Sequence, residues 1–113
     1  MNADVLWIAI IGIIYSTAGF IFRTNPPKRI NGLYGYRTKR SMKSIEAWNF
    51  AQEFSALIMI RYGLIHVAIF LILSVFIQNM NIAVSLILAL IPTFIIAAIP
   101  IVQTEKELKK RFE

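Results

Sequence analysis

The chain has 113 residues, 58% of them hydrophobic and only 16% charged, with a mean hydropathy of +0.65. A water-soluble domain of this size is normally covered by a surface that is roughly a quarter charged, so an ordinary secreted or cytosolic enzyme is disfavoured from the outset. Twelve Lys and Arg against six Asp and Glu give a net charge of +6. The absence of Cys excludes a disulfide framework, a thiolate metal site and Cys-nucleophile chemistry, and leaves the redox compartment open.

Val5 to Phe22 is an uncharged run of 18 residues, at the short end of what crosses a hydrocarbon core of ~30 Å at ~1.5 Å per residue. The residues before it include Asp4 and neither Lys nor Arg, unlike the basic start of a cleaved signal peptide, so a retained first span is expected. A second apolar run, 57–77, contains Arg61 and His66, and a third, 82–102, is uncharged. The connection Gln78, Asn79, Met80, Asn81 is short and uncharged, which makes these two runs an antiparallel helical hairpin. Pro92 in the middle of the third run predicts a kink there, and Pro100 stands near its end. The expected fold class is all-α: an integral membrane bundle of three transmembrane helices (5–22, 57–77 and 82–102) in one domain spanning 1–113.

Basic loops resist translocation, so the side on which Lys and Arg collect gives the orientation. The loop 23–43 carries seven basic residues and the tail 103–113 carries four, whereas the N-terminus around Asn2 and the hairpin around Asn79 have none. The N-terminus and hairpin are therefore expected outside the cell membrane, with the loop and C-terminus cytoplasmic. In the tail, Glu105 with Lys109 and Glu107 with Arg111 stand four residues apart in the favourable order, allowing the third helix to run on. The simpler reading of the tail is a solvated end beside anionic lipid.

Pro26 and Pro27 stop the first helix, Asn31-Gly32 signals a turn, and helical pattern resumes after Ser44, an N-cap residue followed by Glu46. From Ser44 to Ile77 is 34 residues, about 51 Å of helix and too long for one crossing. The amphipathic segment 44–56 is accordingly either an interfacial helix or a cytoplasmic extension of the second span. Trp48, Gln52, Ser55, Met59, Tyr62 and His66 are separated by steps of four and three, so they share one stripe from the membrane surface to the interior.

His66 falls near the middle of its span, where an imidazole needs a partner that lipid does not offer. Two readings compete: a packing hydrogen bond, for which Ser16 or Thr17 are candidates, and a ligand or proton site. Arg61, one turn inside, reads chiefly as a snorkelling anchor and Trp48 as an interfacial one. Gly12, Ser16 and Gly19 form a small-residue face suited to close packing, within the chain or in a homo-oligomer.

The loop and helix start, Asn31-Gly-Leu-Tyr-Gly35-Tyr-Arg37-Thr38, then Ser41 and Ser44, then Trp48-Asn49-Phe-Ala51-Gln52, resemble the SdpI family of bacterial membrane immunity proteins. The similarity covers roughly residues 15 to 75 and corresponds to a short, three-span form. It implies a protein of the cytoplasmic membrane that protects the cell against a secreted antimicrobial peptide toxin, in some members while also signalling to a cytoplasmic regulator. Toxin or ligand recognition is then expected from Asn31, Gly35, Arg37, Thr38, Trp48, Gln52, Arg61, Tyr62 and His66. Taken by themselves, Asn31 and Thr38 suit side-chain bonds to the loop backbone. Arg37 offers a planar fork of donors for a carboxylate, a phosphate or helix-end carbonyls.

The alternative is a small oligomeric transporter or a lipid- or peptide-binding protein with a His66-dependent site. Proton-coupled carriers usually need a membrane carboxylate, and the three apolar runs have neither Asp nor Glu. Catalysis is not expected: Glu53, Ser55 and Tyr62 near His66 make no recognisable triad, metal motif or phosphate loop. No catalytic residue, metal or cofactor is assigned. The basic surplus is explained by orientation and by membrane lipids, without direct contact to nucleic acid.

Overall fold

The computed structural model describes residues 3–77 and 79–113, the side chains of 3–5, 7 and 8 excepted; Asn2 and Gln78, expected on the outer side, lie outside the described residues. Three helices account for most of it: α1 (Ala3–Thr24), α2 (Ile45–Ile77) and α3 (Ile82–Phe112). Among the described residues there is no strand.

Each helix end has a local cause. α1 stops before the Pro26-Pro27 pair, neither of which can supply an amide hydrogen to continue the helical ladder. The Ser44 hydroxyl caps α2 by accepting from the Ala47 amide at 3.1 Å, and Asn81 Oδ1 caps α3 by accepting from the Ala83 amide at 2.8 Å. Between these caps α2 is one unbroken helix of 33 residues, its only glycine being Gly63. Residues 45–56 thus belong to the same continuous helix as the apolar run 57–77 instead of forming a separate element. α3 likewise passes through Pro92 and Pro100 without a break and incorporates the basic tail.

α2 and α3 are long and apolar enough to cross a membrane. In α1 the apolar stretch with described side chains is Ala9–Thr24. Many of the largest apolar side chains of α2 and α3 face outward, among them Leu71, Val75, Phe76, Phe94 and Val102. Exposure on that scale is opposite to what a helix in the core of a soluble domain shows.

The interior divides in two along the long axis. At the hairpin end Phe70, Ile77 and Ala89 are buried together, with Ala9, Leu73 and Leu88 packed around them. At the other end Ala47, Ala51 and Leu108 form a separate cluster beside Tyr36 and Phe50. α1 packs mainly on α2 and only slightly on α3. That contact uses glycine: a Cβ on Gly19 would stand 2.8 Å from the Ala56 carbonyl oxygen, and one on Gly63 2.7 Å from the Ser16 amide nitrogen. The small-residue face Gly12, Ser16, Gly19 is therefore filled from within the chain.

Candidate functional site

The loop between α1 and α2 folds back along the first turns of α2 and is held there by side chains bonding to backbone. Trp48, fully buried, donates its indole Nε1–H to the Pro27 carbonyl at 2.7 Å. Four residues on, Gln52 meets the peptide groups on both sides of Tyr36: its Oε1 accepts from the Tyr36 amide at 2.7 Å, and its Nε2 donates to the Tyr36 carbonyl at 2.8 Å. Both side chains leave the same face of α2, because residues four apart on a helix stack one above the other. Gly35 carries φ +112°, and a Cβ there would lie 2.7 Å from Gln52 Oε1 and from Pro27 Cγ, so this turn requires glycine on conformational and steric grounds alike.

Two side-chain turns shape the loop on either side of that clamp. Asn31 Oδ1 accepts from the amides of Leu33 (2.9 Å) and Tyr34 (2.7 Å), while its Nδ2 donates to the Arg29 carbonyl at 3.0 Å. Thr38 and Ser41 bond reciprocally: the Thr38 amide donates to Ser41 Oγ at 2.8 Å, and the Ser41 amide to Thr38 Oγ1 at 3.2 Å. Ser41, fully buried, shares its single hydroxyl hydrogen between the Tyr36 carbonyl at 3.1 Å and the Thr38 carbonyl at 3.0 Å.

Arg37 lies at the outer edge of this network. One of its guanidinium nitrogens donates to the Gly32 carbonyl, which fixes the side chain over the turn. The guanidinium stays exposed, and no carboxylate among the described residues pairs with it. The remaining donors of a planar fork are thus presented outward, an arrangement that suits bidentate binding of a carboxylate or phosphate.

The loop is also tied to the end of α3. Arg40 bridges Glu105 and Glu113, both at 3.2 Å, and Lys43 reaches Glu113 at 3.0 Å. The Tyr36 hydroxyl donates to Glu105 at 2.9 Å. Burial would raise the Glu105 pKa, but bonds from Thr38, Tyr36 and Arg40 outweigh it and hold the carboxyl below its ordinary 4.5. Burial first, and the bond to Glu105 second, push the Tyr36 hydroxyl well above its ordinary 10.0. The tail is consequently docked where a solvated end was the simpler expectation. Of the two pairs read from the sequence, Glu107–Arg111 forms at 3.4 Å, whereas Glu105 turns to the loop.

The nine expected site residues separate into two groups. Asn31, Gly35, Thr38, Trp48 and Gln52 join in the loop network, with Arg37 at its rim. Trp48 is not a lipid-facing anchor: its indole is enclosed, and its polar edge serves the loop. Arg61, Tyr62 and His66 lie farther along α2, outside that network. Arg61 is exposed, and Tyr62 accepts a long bond of 3.4 Å from Gln103.

His66 is fully buried and pairs through Nε2 with Thr93 Oγ1 on α3 at 3.0 Å, a partner that the sequence reading did not name. Ser16 bonds the Gly12 carbonyl of its own helix at 2.8 Å. The Thr93 hydroxyl also lies 2.9 Å from the Ala89 carbonyl of its own helix, so Thr93 Oγ1 links His66 Nε2 to the α3 backbone. This polar pair joins α2 to α3 deep in the bundle.

Thr93 escaped the sequence reading of the site, and Tyr36 and Ser41, though part of the quoted motif, were given no role in it. Thr93 had a usable signal: His66 is eleven residues before Ile77 and Thr93 eleven after Ile82, so an antiparallel hairpin brings the two level. Tyr36 takes part mainly through its backbone, which no residue type advertises.

A membrane-type three-helix protein with a loop clamped on its second helix is the class that this architecture defines. The chain belongs to the SdpI/YfhL protein family, whose model matches residues 28–104, from the start of the loop through most of α3. It is 40% identical over 94 residues to the uncharacterized protein YfhL of Bacillus subtilis (strain 168), covering 81% of this chain and 76% of that one. No solved structure matches.

Proposed function

We propose that this chain is a three-span immunity protein of the bacterial cytoplasmic membrane, protecting the cell against a secreted antimicrobial peptide toxin. α1, α2 and α3 cross the bilayer, the hairpin lies outside, and the loop and both adjoining helix ends are cytoplasmic. Family membership supports the immunity role, and the basic residues gathered at one end support the orientation. The observation that carries the reading is the loop itself. Within the loop segment 31–38 the polar side chains of Asn31 and Thr38 turn to backbone groups, while Arg37 is held outward with donors to spare. In this reading Arg37 is the contact to the toxin or to an anionic species that the toxin uses, and Asn31, Gly35, Thr38, Trp48 and Gln52 position it. A cytoplasmic regulator, where one takes part, would meet the same basic surface.

The test is survival of a sensitive strain under a panel of membrane-active peptides. Expression of the wild type raises survival against one of them. Arg37→Ala and Trp48→Ala abolish the gain while membrane fractionation shows normal insertion, and Arg37→Lys, which lacks the fork, restores little of it. Survival that is the same with and without the protein across the panel refutes the proposal.

A further inference from the structure

Where α1 and α2 emerge from their apolar runs, the start of the loop closes a cavity of about 350 Å³ lined by Phe22, Arg23, Pro26, Pro27, Lys28, Asn49, Gln52 and Glu53. Its back wall is built firmly, since Pro27 is bonded by Trp48 and both polar ends of Gln52 are engaged by Tyr36. The other four polar side chains behave differently. Arg23, Lys28, Asn49 and Glu53 are exposed and make no side-chain hydrogen bond or ion pair with any described residue, whereas Arg40 and Lys43 of the loop and Arg111 of α3 each pair with a carboxylate near the end of α3. Two cations, an amide and a carboxylate thus share one small cavity without satisfying one another.

Their position narrows the ligand. Arg23 is the first charge after the apolar run of α1, and Glu53 is the last before that of α2. On the membrane-spanning reading above, on which this inference rests, both stand at the headgroup level of the inner leaflet. A volume near the lower end of the ~300–1,000 Å³ typical of small-molecule sites admits a headgroup and excludes a folded peptide. One negative and one positive group must be met together, the first by Arg23 and Lys28 with the Asn49 amide, the second by Glu53.

We infer that this cavity binds the headgroup of an ethanolamine phospholipid, with the phosphate held by Arg23 and Lys28 and the primary ammonium by Glu53. A choline headgroup has the same charges but no N–H to donate, and a glycerol headgroup has no cation. Selectivity for a primary amine is therefore the signature of the site, and Glu53 is the residue that sets it.

Delipidated protein titrated with dioleoyl phosphatidylethanolamine, phosphatidylcholine or phosphatidylglycerol, with bound lipid counted by native mass spectrometry, tests this directly. The ethanolamine lipid binds the wild type about tenfold more tightly than the choline lipid, as one charge-assisted hydrogen bond provides. Glu53→Gln removes that preference and leaves the glycerol lipid bound. Arg23→Ala with Lys28→Ala weakens both the ethanolamine and glycerol lipids. Glu46→Gln, an exposed carboxylate two turns earlier on α2, keeps the preference. Soluble glycerophosphoethanolamine competes with the lipid if the headgroup is what is recognised. Equal affinity for ethanolamine and choline lipids, an unchanged preference in Glu53→Gln, or failure of the soluble headgroup to compete overturns the inference. Because no toxin enters the measurement, its failure is separable from failure of the immunity proposal.

Discussion

Gln52 shows how much structure a single side chain can carry. An amide has one accepting and one donating end, and the peptide groups flanking the Tyr36 Cα offer the complementary pair, so one residue fixes the middle of the loop in position and orientation. In Gln52→Ala the Tyr36 carbonyl keeps Ser41 as a donor, but the Tyr36 amide loses its acceptor. The expected destabilisation is about 1–3 kcal/mol, the cost of leaving a partly buried group unpaired. Trp48→Phe preserves most of the ring and orphans the Pro27 carbonyl, for a loss of the same order. Thermal unfolding in detergent reads both changes, and limited proteolysis between Lys28 and Lys39 locates them. Loss of cleavage protection without loss of the helices is the pattern expected, because the cap on α2 uses Ser44 and neither of these residues.

At the level of elements, α1 and α2 come together through absent side chains. A Cβ on Gly63 would press on Ser16 and Gly12 backbone, and one on Gly19 on the backbone of Ala56 and Ile60, neither of which can move aside as a flexible side chain would. In lipid this close approach matters more than apolar character, since apolar side chains gain little by leaving hydrocarbon for one another. Gly63→Ala is therefore expected to force α1 and α2 apart and to cost about 1–3 kcal/mol, the range for overpacking a tight contact. The measurement is resistance to denaturing detergent, followed by the retention of helical circular dichroism. α2 and α3 meet differently, through the hairpin, the His66–Thr93 bond and the Ala51–Leu108 contact near the far end. The Phe50 ring adds a surface above that contact, with Phe112 at 5.9 Å and the Arg111 guanidinium 4.4 Å from the ring centroid.

The whole molecule measures 51 × 25 × 20 Å. A bilayer core of ~30 Å takes up little more than half of that length. On the membrane-spanning reading, the remainder is a small cytoplasmic cap in which the loop, the start of α2 and the end of α3 support one another. Charge holds much of the cap, so its stability has a pH window. Glu105 is depressed in the folded state; its contribution is present above 4.5 and is lost as the pH falls through the folded value. Glu113 behaves alike, its pKa lowered by Lys43 and Arg40. Tyr36 has the opposite sign: its contribution is complete below 10.0 and is lost as the pH rises toward the raised folded value. Acid is therefore expected to release the end of α3 from the loop before the helical hairpin opens, and Glu105→Gln to flatten that acid transition. Hydrogen exchange of residues 36–43 and 104–112 between pH 7 and pH 3 checks it. High salt weakens the same contacts, because the ion pairs are exposed or only partly buried and are screened by counterions.

Helix positions were legible in the amino-acid order because their signals are local. Apolar runs, the Pro26-Pro27 stop, the Ser44 cap and the short Asn79–Asn81 connection each act within a few residues and mark element ends without reference to the rest of the chain. The spacing of Trp48 and Gln52 likewise placed them on one face of α2. What that face meets was decided only by tertiary structure. Its partners are the Pro27 carbonyl and the Tyr36 peptide groups, and a backbone group looks the same in every residue. The docking of the tail depended on the same level of organisation: Glu105 had a local partner in Lys109, and it took the loop instead because Tyr36 and Arg40 arrive together from a segment some 65 residues away. Local periodicity could set where helices begin and end, whereas the loop's partners depended on which backbone groups the fold brought within reach.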